Sequence, residues 1–204
     1  MERLEAWAAE ALADPRAVVL DTETTGLESD SSIVELAVIT TGGDVLVDVL
    51  LDPGVPIPHE AAAIHGIDSS MVKGQRAFGD VLVQLTGALT GRRVLIYNAS
   101  YDVGRLRWEL TRHYRAEGHS DPEASAAAWL DSMHFEDVMI PYSDFVGDWS
   151  DYWGNNRWQP LGGGHRALGD CRAVISVLET MSRRHGLVPA PGGEFDHAGE
   201  RVTA

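Results

Sequence analysis

Ala17-Val18-Val19-Leu20-Asp21-Thr22-Glu23-Thr24-Thr25-Gly26 is a short apolar run that ends in two carboxylates one residue apart. Four consecutive apolar residues, two of them β-branched, read as a strand covered on both faces. In an α/β sheet the carboxyl end of such a strand is where ligands bind. Side chains alternate along a strand, so Asp21 and Glu23 point the same way. Two like charges that close resist ionising unless a cation lies between them. The pair therefore asks for a hard, oxygen-seeking ion such as Mg²⁺ or Mn²⁺.

Upstream, Leu4, Trp7, Ala8, Ala11 and Leu12 fall at helical spacing, and Asp14-Pro15 closes that helix. Downstream, the pattern predicts a strand from Ile33 to Thr40, a hairpin turn at Thr41-Gly42-Gly43-Asp44 and a third strand from Val45 to Leu51. Strands joined this tightly are antiparallel neighbours. A short helix over His59–His65 and a longer one over Phe78–Leu89 follow the Pro-rich break at 52–58. Val94 to Tyr97 reads as a further strand leading into a helix from about Tyr101 to Glu117. Gly118 to Ser125 reads as a loop, Trp129 to Val146 as mixed, and Trp149 to Gly164 gives no assignment. A last helix is predicted from roughly Arg166 to Arg184. The succession favours a mixed sheet flanked by helices, an α/β fold.

A chain of 204 residues supports one sizeable core, so residues 1–185 are expected to form a single domain. Residues 186–204 carry few large apolar side chains and read as a flexible tail. One cysteine, Cys171, excludes an intramolecular disulfide framework and fits a reducing cytoplasm. The charged start, Met1-Glu2-Arg3-Leu4-Glu5, is unlike a secretory signal, and no run of about 18 apolar residues exists to cross a membrane. A formal charge of -15, with Lys73 the only lysine, argues against sequence-independent gripping of a long duplex. It leaves room for local binding of a short strand.

Two more elements carry chemistry. Asn98-Ala99-Ser100-Tyr101-Asp102 follows the fourth strand, and in a helix Asn98, Asp102 and Leu106 share one face at spacings of four. By itself this equals an Asp complementing a helix dipole. Gly162-Gly163-Gly164-His165-Arg166-Ala167-Leu168-Gly169-Asp170 enters the last helix. Five residues turn a helix by about 140°, so His165 is expected on the Gly-rich approach and Asp170 on the helix proper. Histidine titrates in the range a general base needs.

Together the three elements resemble the DnaQ-like, or DEDD, 3′-to-5′ exonuclease family in its histidine subclass (DEDDh), over roughly Ala17 to Arg184. Asp21-Thr22-Glu23 matches the first motif, Asn98 to Asp102 the second, and His165 with Asp170 the third. The tyrosine subclass has Tyr four residues before the last Asp, where this chain has Arg166. The resemblance implies a ribonuclease H-like fold with a five-stranded mixed sheet and two divalent cations, Mg²⁺ or Mn²⁺, held by Asp21, Glu23, Asp102 and Asp170. It also implies His165 as the base that takes a proton from water, and nucleoside 5′-monophosphates as products. Its substrate would be a nucleic acid with a free 3′ end, expected single-stranded.

Relatives hold the terminal nucleotide through groups that map onto Thr24 and Leu27, and Ile64-His65-Gly66-Ile67 matches a family segment near that nucleotide. Asn98 and Tyr101 complete the candidate substrate contacts, Tyr101 as a stacking ring. Trp149, Trp153 and Trp158, interleaved with Asp148, Asp151, Asn155, Asn156 and Arg157, are expected to pin an irregular loop over the site; the alternative is a stacking platform. An aspartyl-phosphate phosphatase is disfavoured because Glu23 stands where that chemistry wants Asp. The His59-Glu60 and His65 spacing misses the zinc-protease pattern by two positions. The remaining rival is a non-catalytic or proofreading module bound to a DNA polymerase.

Overall fold

In the computed structural model, which describes residues 2–185, the opening apolar run is the central strand of the sheet. Helix α1 (Glu2–Ala13) precedes β1 (Ala17–Thr24), whose first four residues are fully buried. β2 (Ile33–Thr40) is buried over nearly its whole length, as its apolar run requires, and in β3 (Val45–Leu50) only Val47 is buried, as suits an edge strand. The turn between them closes with Thr40 N–H on Asp44 O at 2.8 Å. Gly43 there has φ 94°, a conformation that a side chain disfavours.

α2 (His59–His65), α3 (Ser69–Val72) and α4 (Phe78–Leu89) follow, then β4 (Arg93–Ile96) and the long α5 (Ala99–Ala116). α6 (Pro122–Asp131), β5 (His134–Asp137) and α7 (Met139–Val146) lead to a small ribbon of β6 (Trp149–Ser150) and β7 (Asn155–Asn156). α8 (Ala167–His185) is the last element. The five-stranded sheet has the order β3-β2-β1-β4-β5, antiparallel on the β3-β2-β1 side and parallel on the β1-β4-β5 side.

Alternation along the strands feeds two cores. Val18, Leu20, Leu36, Val38, Val94 and Ile96 meet α4, α5 and α6 on one face. Ala17, Val19, Ala37, Ile39 and Leu95 meet α1, α7 and α8 on the other. A smaller cluster of Val34, Ile57, Ala61, Ile67 and Val72 lies under α2 and α3. Among the described residues no helix is long and apolar enough to cross a membrane.

Two sequence expectations are corrected. The loop over 118–125 ends early, because Asp121 caps α6 by accepting from Ala124 N–H at 2.9 Å, and Pro122 starts the helix. The fifth strand lies inside the segment read as mixed: His134-Phe135-Glu136-Asp137 is short and half-buried, so it has no apolar periodicity to reveal it. The tail expected over 186–204 lies outside the described residues.

The feature that makes room for a site is a difference in pairing length. β1 pairs with β2 from Val18 through Thr24, but with β4 only from Ala17 to Val19. Past Val19 the two parallel strands part, and the end of β1 borders an open crevice.

Candidate active site

A pocket of about 300 Å³ occupies this crevice, and Asp21, Glu23, Asp102, His165 and Asp170 all line it, with Tyr97, Asn98 and Tyr101. Asp21 and Glu23 project toward α8, the side on which Ala17 and Val19 pack. Asp170, in the first turn of α8, meets them there: one carboxylate oxygen from each of the three lies within 4.8 Å of the others. Asp170 Oδ1 is buried and has no hydrogen-bond partner. A buried acceptor left open costs stability unless a ligand completes it.

Asp102 reaches the pocket from the opposite face of the sheet, in the first turn of α5. Thr22, pointing away from Asp21 and Glu23, donates its hydroxyl to Asp102 Oδ1 at 2.7 Å. That bond holds Asp102 outside the three-carboxylate group while leaving it in the pocket wall. The start of α5 is tied down by Asp137 at the end of β5, which accepts from Ala99 N–H at 2.7 Å and from Ile140 N–H at 2.9 Å. Asn98 makes the strand-to-helix turn in the left-handed region, φ 62°.

The crowding shows in the electrostatics. Asp21 is pushed well above the ordinary carboxylate range, first by burial and then by the charges of Asp102, Asp170 and Glu23. An edge of Asp21 still meets solvent, yet the surrounding protein atoms remove most of its hydration. Glu23 is pushed up to about 8 by burial, then Asp170 and Glu35, with Arg166 opposing. Asp102 rises to about 7, burial outweighing the Thr22 hydrogen bond. Asp170 is raised by burial against the pull of His165 and the backbone amides of Gly164 and His165. All four share one leading cause, burial of an anion away from water, and for Asp21 and Glu23 the neighbouring carboxylates add to it. The donor set fits a hard divalent cation: buried carboxylate oxygens, one without a partner, in a cluster that cannot fully ionise alone.

His165 lies outside α8 on the Gly-rich approach, exposed and at φ 52°, while Asp170 is on the helix. This is the division read from the sequence. Two contacts hold the approach. Tyr97 donates its hydroxyl to Gln159 O at 2.6 Å. Glu35, buried on β2, accepts two bonds from Arg166 Nε and one from Arg166 Nη2 at 2.6 Å, and caps α8 by accepting from Ala167 N–H at 2.9 Å. A Cβ on Gly163 would collide with the Asp170 carboxylate, so a glycine is required where the loop passes that side chain. Sequence reading missed Glu35, Arg166 and Asp137 as struts. Glu35 alone carried a signal, as a lone acid inside the apolar run Ile33–Thr40.

The other candidate contacts divide. Thr24 is buried, its hydroxyl 2.9 Å from Gly26 O and 2.5 Å from the Tyr101 hydroxyl. Tyr101 also donates to Gly26 O at 2.8 Å, and the Arg105 guanidinium lies 5.3 Å from its ring centre. Both side chains thus brace the turn after β1, and Tyr101 also lines the pocket. His65 is buried away from the pocket lining. Its Nδ1 accepts from Ile67 N–H at 3.0 Å, and its Nε2 faces Thr24 O at 3.2 Å. Leu27 is 84% exposed and outside that lining. The tryptophans expected to pin a loop instead face solvent, as do Asn155 and the paired Arg157. Cys171 is buried with its Sγ toward Val19 O and Ala37 O, and burial pushes the thiol up.

An α/β sheet of this strand order, with clustered carboxylates at the end of its central strand and a histidine beside them, is a ribonuclease H-like fold with a candidate hydrolytic site. Residues 18–178 match the exonuclease family RNase_T, and the chain belongs to that family. Among particular relatives, it is 31% identical over 198 residues to the uncharacterized exonuclease CP81 of Escherichia phage 186, covering 89% of this chain and 93% of that protein. It is 29% identical over 109 residues to the DNA polymerase III subunit epsilon of Pasteurella multocida, a match covering 48% of this chain and 42% of the subunit. The chain therefore spans less than half the length of that subunit. Exonuclease I of E. coli in complex with a dT13 oligonucleotide shares the fold, with a TM-score of 0.61 at 16% identity over 83% of this chain and 41% of the other.

Proposed function

We propose that this chain, acting through a single unit over residues 1–185, is a 3′-to-5′ exonuclease of the histidine subclass. It removes nucleoside 5′-monophosphates from single strands in a reducing cytoplasm. The observation that carries the reading is the convergence of Asp21, Glu23, Asp102, Asp170 and His165 on one small pocket. Asp21, Glu23, Asp102 and Asp170 would hold two divalent cations, Mg²⁺ or Mn²⁺, which supply charge to stabilise the scissile phosphate and leaving 3′-oxygen and make water more acidic. His165, on the Gly-rich approach, takes the proton of the attacking water on an imidazole nitrogen. Glu35 and Arg166 keep that approach in register with Asp170. The backbone after Glu23, at Thr24, and the side chains of Asn98 and Tyr101 hold the terminal nucleotide. Leu27 covers it from outside, and His65 acts by fixing the Thr24 carbonyl.

A strand labelled at its 5′ end should shorten stepwise with Mg²⁺ or Mn²⁺, and the same strand labelled at its 3′ end should release labelled mononucleotide at once. Asp21→Ala should be inactive. His165→Ala should keep cation binding and lose turnover by about 10²–10⁴. Intact substrate with folded protein and saturating cation would remove the catalytic reading. Equal rates for His165→Ala and the parent would take His165 out of it. The partial likeness to the polymerase III epsilon subunit favours one second reading, a proofreading module, and co-purification with a polymerase would support it.

A further inference from the structure

The ribbon before the Gly-rich approach is built from polar latches, with its aromatic rings turned outward. Arg157 pairs with Asp148 at 2.8 Å, its N–H donates to Asp148 O at 2.7 Å, and the Asn156 amide donates to Asp144 at 2.8 Å. Ser150 is buried beneath the turn and accepts Gly154 N–H on its carbonyl at 2.8 Å. These bonds fix the backbone without covering the rings: Trp149, Tyr152, Trp153 and Trp158 are 56%, 84%, 71% and 69% exposed. A cleft of about 370 Å³ separates Trp153 from Trp158, with Asn155 and Arg157 on its walls.

The chain passes from this face straight into the pocket wall. Trp158 is followed by Gln159, Pro160 and Leu161, which line the site, and successive Cα atoms are only about 3.8 Å apart. Its charge is also informative. Arg157 is neutralised by Asp148, Asp151 takes the Trp149 indole N–H at 3.1 Å, and the whole chain carries -15. Such a surface attracts no phosphate backbone, but it offers flat rings on which any base can stack.

We propose that Trp149–Trp158 is a stacking platform for the bases just 5′ of the nucleotide in the pocket, gripping single strands by base faces and not by charge. The inference rests on the nucleic-acid reading above and extends it to how the strand is held. Stacking tolerates every base, so the platform confers preference for unpaired strands without sequence preference.

The test pairs two substrates. The p-nitrophenyl ester of thymidine 5′-monophosphate fills only the pocket, and a long oligothymidylate also reaches the platform. Trp153→Ala with Trp158→Ala should raise the oligothymidylate KM roughly 5- to 100-fold and leave ester hydrolysis unchanged, while the double Phe variant retains most affinity. A second measurement needs no catalysis: anisotropy of a labelled oligothymidylate with Asp21→Ala protein should show weaker binding when both tryptophans are replaced. Its logarithmic salt slope should be no steeper than about -0.7, one phosphate contact. An inactive parent would sink the catalytic reading while the binding measurement still judges the platform. Unchanged oligothymidylate affinity, a steep salt slope, or equal losses on both substrates would overturn the platform. So would self-association of the parent that disappears in the Trp variants with strand binding intact, which would assign the face to a second copy of the chain.

Discussion

Gly163 shows how far a site depends on what a residue lacks. Asp170 occupies the space that a side chain at 163 would fill, and the oxygen nearest that space, Oδ1, has no hydrogen-bond partner, while the carboxylate groups with Asp21 and Glu23. Gly163→Ala should therefore displace that carboxylate and weaken Mn²⁺ affinity by about tenfold or more, measured by titration calorimetry, while the far-ultraviolet spectrum stays unchanged. Affinity equal to the parent would mean that the loop yields freely. In the sequence the three consecutive glycines resemble any flexible approach, and only the folded chain distinguishes the one against Asp170. Asp21 and Glu23 were readable because period-two alternation needs no partner to be seen.

At the scale of elements, the start of α8 is aligned by a buried acid on a strand remote in sequence. Glu35 accepts from Arg166 and from the first amide of the helix, so the same carboxylate caps α8 and ties it to β2. Glu35→Gln keeps the shape and loses the charge. It should lower the unfolding free energy by about 1–3 kcal/mol in urea, the lower part of the range because the Arg166 side chain is 48% exposed. Turnover should fall further than KM rises, since His165 and Asp170 flank this joint. The strong apolar periods of β1, β2, α4 and α8 made those elements legible from their residues alone. β5 was not, being four residues long and only half-covered, and its Asp137 matters through two amides that no local pattern discloses.

Across the whole molecule, the pocket joins β1, α5 and the approach to α8, so binding there is linked to global folding. In the cation-free protein Glu23 keeps its proton up to about 8, whereas the unfolded chain releases it near the ordinary 4.5. The folded state then binds more protons than the unfolded one in that window, and stability should fall as pH rises from about 4.5 to about 8. Asp21, Asp102 and Asp170, also raised, add in the same direction. Saturating Mg²⁺ should flatten this slope, raise the midpoint and add about 2.7 kcal/mol to the unfolding free energy at a hundred times its dissociation constant. Scanning calorimetry in chelator and in Mg²⁺ at both ends of the window checks it. A chelated protein that is most stable at the alkaline end would contradict the crowding described.

The early parting of β1 from β4 also bears on amide exchange. From Leu20 onward β1 has β2 on one edge and no ladder to β4 on the other. Amides turned toward β2 should exchange slowly with solvent deuterium, and those turned to the crevice quickly, within one short peptide of the most buried strand. Occupancy of the pocket would slow only the second set. Residues 20–24 thus form a gauge of what enters the site, legible by mass spectrometry without an attached probe or any turnover.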